Sequence, residues 1–336
     1  MSEILDREAA QATIPHSGPD AAGLPDPIRL VLPATSANLG SGFDAVGLAM
    51  GLTLTIDAMA LPAGGPLLTI EATGRNADRC SRTGDNLIFE TCREVLQRAG
   101  RPVLPLHLRI HNQIPLGMGC GSSAAAILAG VALAAHFGAL GWTSDDVLRE
   151  ACVREGHPDN AAACWLGGLA LSAMEDVDGK MLVHAISVKP KLDWRLLIVL
   201  PSDPLATKEA RGLLPEKYTR ADAVFNVQRI GLLTAAFADG CGELLKVSMQ
   251  DKIHQPYRSD ACPLLPKLLP LAGTAGILGV ALSGAGPSVL LVLAREAKLD
   301  EVEKLIREQT AGIQGIELVT CGMERRPASC ELDTLL

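Results

Sequence analysis

Twenty consecutive residues, Ser122 to Gly141, carry no Asp, Glu, Lys or Arg. A stretch of that length can be a membrane-spanning helix, which needs about 20 apolar residues, or a helix buried inside a domain. Its composition argues for the second. It is mostly Ala and Gly rather than Leu, Ile and Phe, and His136 interrupts it. The residues before it, Pro115-Leu116-Gly117-Met118-Gly119-Cys120-Gly121, supply glycines where a bilayer span would have Lys or Arg anchors. A helix that is apolar all round must be enclosed, and the chain can enclose it: 336 residues, 48 % hydrophobic and 20 % charged. At about 150 residues per domain that length favours two domains. With only five Phe, three Trp and two Tyr, the core must be built from Leu, Val, Ile and Ala.

The net charge of −8 argues against nucleic acid as a partner, because phosphate backbones call for a basic surface. The chain starts Met1-Ser2-Glu3 without the apolar core of a signal peptide, and the expectation is a cytoplasmic protein with no membrane attachment. Nine cysteines, an odd number scattered without CxxC spacing, read neither as a disulfide framework nor as a zinc site. His107 and His111 stand four apart in a segment that alternates like a strand, and two histidines alone are weak evidence for a metal.

Residues 1–27 hold Pro15, Gly18, Pro19, Gly23, Pro25 and Pro27 with little periodicity and read as a flexible extension. From Ile28 onward strands are expected at 28–32, 48–57, 67–71 and 104–110, with a polar loop at 33–42 between the first two. Residues 85–99 fit an amphipathic helix with Leu87, Ile88, Val95 and Leu96 on one side. Further helices are expected from Ser122 to about Phe137, at 145–154 and at 160–165, and strands at 183–186 and 195–200. Pro201-Ser202-Asp203-Pro204 then marks a boundary between domains at 28–200 and 201–336. Beyond it come helices at 221–239, 241–251 and 298–309, and strands at 279–282, 289–293 and 316–320. Strands and helices mix without a steady βαβ rhythm, so the class is α+β.

Four segments carry chemistry. In the loop before the apolar helix, Gly117, Gly119 and Gly121 recur at every second position and Ser122 and Ser123 open the helix. Glycines let backbone approach a ligand, and a helix N-terminus offers unpaired N–H groups to a phosphate chain; a glycine turn feeding a tightly packed helix would look the same. A Walker loop needs Gly-Lys-Ser/Thr and no Lys is present. The dinucleotide fingerprint GxGxxG fails as well, because Ser122 stands where its last glycine belongs. Ser283-Gly284-Ala285-Gly286-Pro287-Ser288 lies between two apolar strands and alone reads as a hairpin turn. The segment 33–44 packs Thr35, Ser36, Asn38 and Ser41 before Asp44, and Glu155-Gly156-His157-Pro158-Asp159-Asn160 crowds two acids and an amide before a helix. Each has a bland reading, a solvated turn for the first and an N-cap at Asp159 for the second.

Together and in this order, these segments resemble the GHMP family of small-molecule kinases. The resemblance is carried by PATSANLGSGFDAVGLAM (33–50), IPLGMGCGSSAAA (114–126), EGHPDNAAACWLGG (155–168), ATKEARGLLP (206–215), RADAVFNVQR (220–229), HQPYR (254–258) and ALSGAGPSV (281–289). It spans about residue 28 to residue 292. It implies a first domain like the second domain of ribosomal protein S5, a ferredoxin-like second domain, and a site in the cleft between them. It also implies magnesium-dependent transfer of the γ-phosphoryl group of ATP to the hydroxyl of L-homoserine, the step that leads to threonine, and a homodimer is compatible with it. By the family pattern Pro115, Gly117, Gly119, Gly121, Ser122, Ser123, Ala124 and Gly284 would hold the nucleotide, with Asn86 at the adenine. Ser123 and Glu155 would hold Mg2+. A free amino acid needs a fork for its carboxylate, for which Arg229 and Arg258 are the candidates. It needs acceptors for its ammonium group, for which Asn38 and Asp44 stand in the matching motif, and Thr207 would line the pocket. Asp159 would accept a hydrogen bond from the attacking hydroxyl, supported by Asn160. Cys120 departs from the family's usual Leu, and Met118 from a small residue, while all three glycines are kept. A GHMP kinase for another small alcohol, and a nucleotide-binding regulator without turnover, are the competing readings.

Overall fold

The computed structural model describes residues 14–15, 24–205 and 207–332. Its first layer is a seven-stranded sheet. β1 (Ile28–Asn38) and β2 (Gly42–Ala60) form a long antiparallel hairpin, β3 (Leu68–Gly74) lies at one edge, and β4 (Leu106–Asn112) sits between β3 and β2. β5 (Leu169–Val177) pairs with the far half of β2 and with β6 (Lys180–Val188). The predicted loop at 33–42 is thus strand up to Asn38. Thr35 and Ser36 are fully buried, and their backbones pair with Ala49 and Leu48 of β2. Their small polar side chains suggested solvent, whereas the ladder satisfies their main chain and the loops described below satisfy their hydroxyls.

α1 (Ala77–Cys80) is a single turn, and α2 (Leu87–Arg98) is capped by the Asn86 side chain, which accepts from Phe89 N. α3 (Ser122–Phe137) runs through the middle of this layer with thirteen of its sixteen residues buried, which accounts for the uncharged run. Gly130 lets α3 lie directly on α2, since a Cβ there would strike the Ile88 carbonyl and Thr91. Among the described residues no helix is long and apolar enough to cross a membrane. α4 (Ser144–Glu155) starts with a Thr143–Asp146 capping box, and α5 (Asp159–Leu166) packs on β2 where Gly47 leaves room for it.

The second layer is a four-stranded antiparallel sheet of β7 (Arg195–Leu200), β8 (Ile277–Leu282), β9 (Val289–Leu293) and β10 (Glu317–Cys321), in the order β10-β7-β9-β8. Between β7 and β8 lie α6 (Thr207–Gly212), α7 (Arg220–Asp239), α8 (Leu245–Ser248), α9 (Gln255–Arg258) and α10 (Leu264–Leu268); α11 (Leu299–Gln309) lies between β9 and β10. That is the split βαβ plan of the ferredoxin-like fold. The helix expected over 241–251 is broken into a 3-10 turn and the four residues of α8. β11 (Ser329–Leu332) returns to pair with β1 in the first sheet. By sheet membership β7 therefore belongs to the second layer and β11 to the first, a different partition from a single cut at Pro201.

Most of the expected extension at 1–27 lies outside the described residues. Ile14 is buried and donates its N–H to the Trp142 carbonyl at 3.1 Å. The two ring nitrogens of the buried His136 lie 2.6 Å from the Pro15 carbonyl and 2.7 Å from that of Asp26.

Candidate active site

Three loops meet where the two layers join. The β4–α3 loop turns through Gly117, Gly119 and Gly121, with φ of +74°, +73° and +71°, a region that costs any other residue about 1–2 kcal/mol. A side chain at Gly119 would enter the Ser283 carbonyl, and one at Gly121 the Thr35 hydroxyl. The Ser283 hydroxyl lies 2.8 Å from both the Gly119 carbonyl and the Ser36 hydroxyl. Ser288 donates to the Met118 carbonyl, Gly284 N donates to Ala37 O at 3.1 Å, and Asn38 Nδ2 donates to Gly284 O at 2.8 Å. The β1–β2 junction at 35–44 and the loops at 117–123 and 283–288 thus form one bonded unit. α3 begins at Gly121 with no side-chain cap, so its first amides are open to an anion.

The acidic turn forms the opposite wall. The Ser123 hydroxyl donates to Glu155 Oε1 at 2.7 Å. Asp159, only 2 % exposed, accepts from Asn160 N at 2.7 Å and lies 2.7 Å from His157 Nδ1. Among the described residues the hydrogen bonds to this carboxylate all fall on Oδ1, which leaves Oδ2 for the cleft. Burial lowers the His157 pKa, but its bond to Asp159 and the charges of Asp159 and Glu155 outweigh burial and raise it above the ordinary imidazole value. Thr35 donates to Asn160 Oδ1 at 2.7 Å and fixes the amide.

On the second-layer side Arg211 forks onto Asp44 with bonds of 2.6 and 3.0 Å. Arg258 is almost wholly buried, and the Phe43 ring lies 5.7 Å from the Arg211 guanidinium and 5.5 Å from that of Arg258. Burial and the nearby Arg211 charge lower the Arg258 pKa. The cleft has a volume of about 110 Å³.

Most of the expected site residues line this cleft: Asn38, Asp44, Gly117, Gly119, Gly121, Ser122, Ser123, Ala124, Glu155, Asp159, Asn160, Arg258 and Gly284. Arg229 is not among them. Its guanidinium lies 3.1 Å from the Phe225 ring and bonds to Gln250 Oε1. Asn86 is spent on capping α2, Pro115 lies outside the lining, and the Thr207 side chain falls outside the described residues. The residues sequence reasoning passed over are His157 and Arg211. Both stood inside segments already singled out, EGHPDN and ATKEARGLLP. Burial pushes the Cys120 thiol up to about 12, which makes it an inert packing residue.

The model of the GHMP kinases N terminal domain matches residues 86–168, and that of the GHMP kinases C terminal domain matches residues 233–310. The chain belongs to the GHMP kinase family. Within it, a homoserine kinase of Solibacter usitatus is 44 % identical over 83 % of this chain and 90 % of its own length. A homoserine kinase of Synechocystis sp. is 37 % identical over 84 % and 92 %. The crystal structure of homoserine kinase from Cytophaga hutchinsonii superposes with a TM-score of 0.74 at 25 % identity, covering 91 % of this chain and 98 % of that one.

Proposed function

We infer that this kinase is a homoserine kinase, transferring the γ-phosphoryl group of ATP to the side-chain hydroxyl of L-homoserine to give O-phospho-L-homoserine for threonine biosynthesis in the cytoplasm. The observation that carries the reading is the convergence, in one cleft, of an uncapped helix N-terminus behind three left-handed glycines, a buried carboxylate with one free oxygen, and two arginines near Phe43. Phosphoryl transfer needs positioning and charge neutralisation more than covalent chemistry. The cradle and the first amides of α3 hold the phosphates. Arg258 takes the amino-acid carboxylate. Asn38 and Asp44 serve the ammonium group, for which Asp44 exchanges part of its pairing with Arg211. A neutral alcohol such as galactose has no use for that set, and mevalonate, a carboxylate without an ammonium group, has no use for the acceptors.

The Ser123 hydroxyl and Glu155 carboxylate are hard oxygen donors 2.7 Å apart beside the cradle, a set suited to Mg2+. When bound there the ion offsets charge on the β- and γ-phosphates. Asp159 Oδ2 accepts the hydrogen bond of the attacking hydroxyl and orients its lone pair at the γ-phosphorus. As the new O–P bond forms, the bond to the β–γ bridging oxygen breaks, and the proton leaves through Asp159. Asn160 and His157 hold that carboxylate in place.

ADP release measured over L-homoserine, L-serine, L-threonine, mevalonate and galactose tests the reading. Turnover with homoserine far above the others is expected, with a phosphomonoester product seen by 31P NMR. Preference for mevalonate or galactose would assign another GHMP activity, and no turnover with any of them would favour a nucleotide-binding regulator.

A further inference from the structure

Arg258 reaches the cleft from α9 through a buried network that the proposed reaction does not by itself require. Its Nε donates to Ala210 O at 3.2 Å, and its Nη1 lies 3.5 Å from Gly284 O and 3.2 Å from Nδ1 of His254. Among the described residues Nη2 has no protein partner, so it is the nitrogen left for a ligand. His254 is fully buried one helical turn before Arg258, stacked on Phe43 with ring centroids 5.3 Å apart. Its Nε2 lies 2.9 Å from Gly40 O and 3.5 Å from Asp251 Oδ2.

Those neighbours decide the tautomer. Nε2 faces only acceptors, a carbonyl and a carboxylate, and so must carry a hydrogen. Nδ1 faces a guanidinium N–H, which can only donate, and so must be bare. The ring is therefore neutral, with Nε2–H directed at Gly40 and a lone pair directed at Arg258. Asp251 is held by N–H groups of Ile253, His254 and Gln255 and by Asn226 Nδ2 at 2.7–2.9 Å. The imidazole thus bridges the loop that bears Asn38 and Asp44 to the helix that bears Arg258.

We propose that His254 is a positioning residue for Arg258: as the neutral Nε2–H tautomer it anchors one edge of the guanidinium, so that the free Nη2 is presented to the carboxylate of the amino-acid substrate, and its protonation ends that alignment. The proposal rests on the homoserine reading for the identity of the ligand, but not for the tautomer. The charged groups that face His254 are Asp251, Arg258 and, across Phe43, Asp44 with its partner Arg211. Burial and the Arg258 charge lower the His254 pKa, against Asp251 and Asp44, which raise it. A proton added at Nδ1 would face the Arg258 cation at 3.2 Å. Affinity for the carboxylate should therefore fall on the acid side, as pH drops through a value below that of ordinary imidazole.

Two substitutions separate alignment from packing. His254→Leu keeps bulk and removes the acceptor. It is expected to raise the homoserine KM about tenfold or more, with the ATP KM within about twofold and kcat changed less than the homoserine KM. His254→Asn puts Oδ1 close to where Nδ1 stood. It should recover most of that affinity and abolish the rise in homoserine KM that the unsubstituted enzyme shows at acid pH. Equal impairment in both variants, or a KM for homoserine that rises at acid pH in His254→Asn as before, would overturn the proposal. The tautomer is read without substrate by 15N NMR of histidine-labelled protein at neutral pH, where Nε2 should be protonated and Nδ1 bare; a protonated Nδ1 would overturn it even if both variants fail to fold. Should homoserine prove not to be the substrate, turnover by the unsubstituted enzyme fails while the NMR result stands, so the two failures are distinguishable.

Discussion

Nδ1 of His157 lies 2.7 Å from Oδ1 of Asp159, and that same oxygen accepts the Asn160 amide at 2.7 Å. One carboxylate oxygen is committed to the protein and the other to the cleft. The division lets the side chain be rigid and still present a lone pair to a hydroxyl.

Asp159→Asn keeps the shape and removes the charge. Turnover is expected to fall on the order of 100-fold or more, with the homoserine KM within a few-fold. Steady-state kinetics at saturating ATP reads both, and an equal loss in the two would reduce Asp159 to a binding residue.

The His157 pair also makes stability depend on pH. A histidine whose folded pKa is raised binds its proton more tightly folded than unfolded. It therefore contributes its full stabilisation below the unfolded value of about 6.5 and loses it as pH climbs through the raised folded value. Thermal melts from acid to alkaline pH should show this decline beginning above about pH 6.5, and His157→Gln should flatten it. A variant that melts with the same pH profile would show that the coupling lies elsewhere.

Arg258→Leu removes the cation assigned to the substrate carboxylate. A hydrogen bond to a charged group contributes about 1.5–3 kcal/mol, so the homoserine KM should rise roughly 10- to 150-fold while the ATP KM stays close to its original value. An unaltered homoserine KM would take Arg258 out of the pocket. Arg229→Leu serves as the contrast, because its guanidinium lies against Phe225 and Gln250, and it should leave both constants nearly as they were.

The cradle can be probed with alanine. At Gly119 the new methyl would meet the Ser283 carbonyl, whereas at Gly141, also at positive φ, nothing lies within 4 Å. Gly141→Ala should cost about 1–2 kcal/mol, the left-handed penalty alone. Gly119→Ala should cost more in urea denaturation and also raise the ATP KM. Equal losses would mean that the cradle's tight fit is unimportant.

Much of the first layer was legible because its helices carry strong local signals. The uncharged run became α3, and the periodicity of 85–99 became α2, although Leu87 proved 42 % exposed at its start. Thr35 and Ser36 misled because side-chain polarity says nothing about whether a neighbouring strand pairs the backbone. At the site, glycine spacing and the acidic turn pointed to residues that line the cleft. The cations were harder: Arg229 and Arg211 both sit in family-like segments, but Arg229 folds back onto Phe225, one turn earlier on its own helix, whereas tertiary packing turns Arg211 onto Asp44, 167 residues away. His157 was visible in the acidic turn, but its bond to Asp159 depends on the bend at Pro158, which spacing alone does not reveal.

The return of Ser329–Leu332 to the edge of β1 bears on how the chain is made. During synthesis one flank of β1 stays exposed until Ser329–Leu332 has left the ribosome. An unpaired strand edge is a template for unwanted partners, and the delay lasts for the translation of some 290 codons between Asn38 and Ser329. Removing the final strand would leave that edge open for the lifetime of the molecule, so the penalty would appear as aggregation of nascent chains before it appeared as lost catalysis.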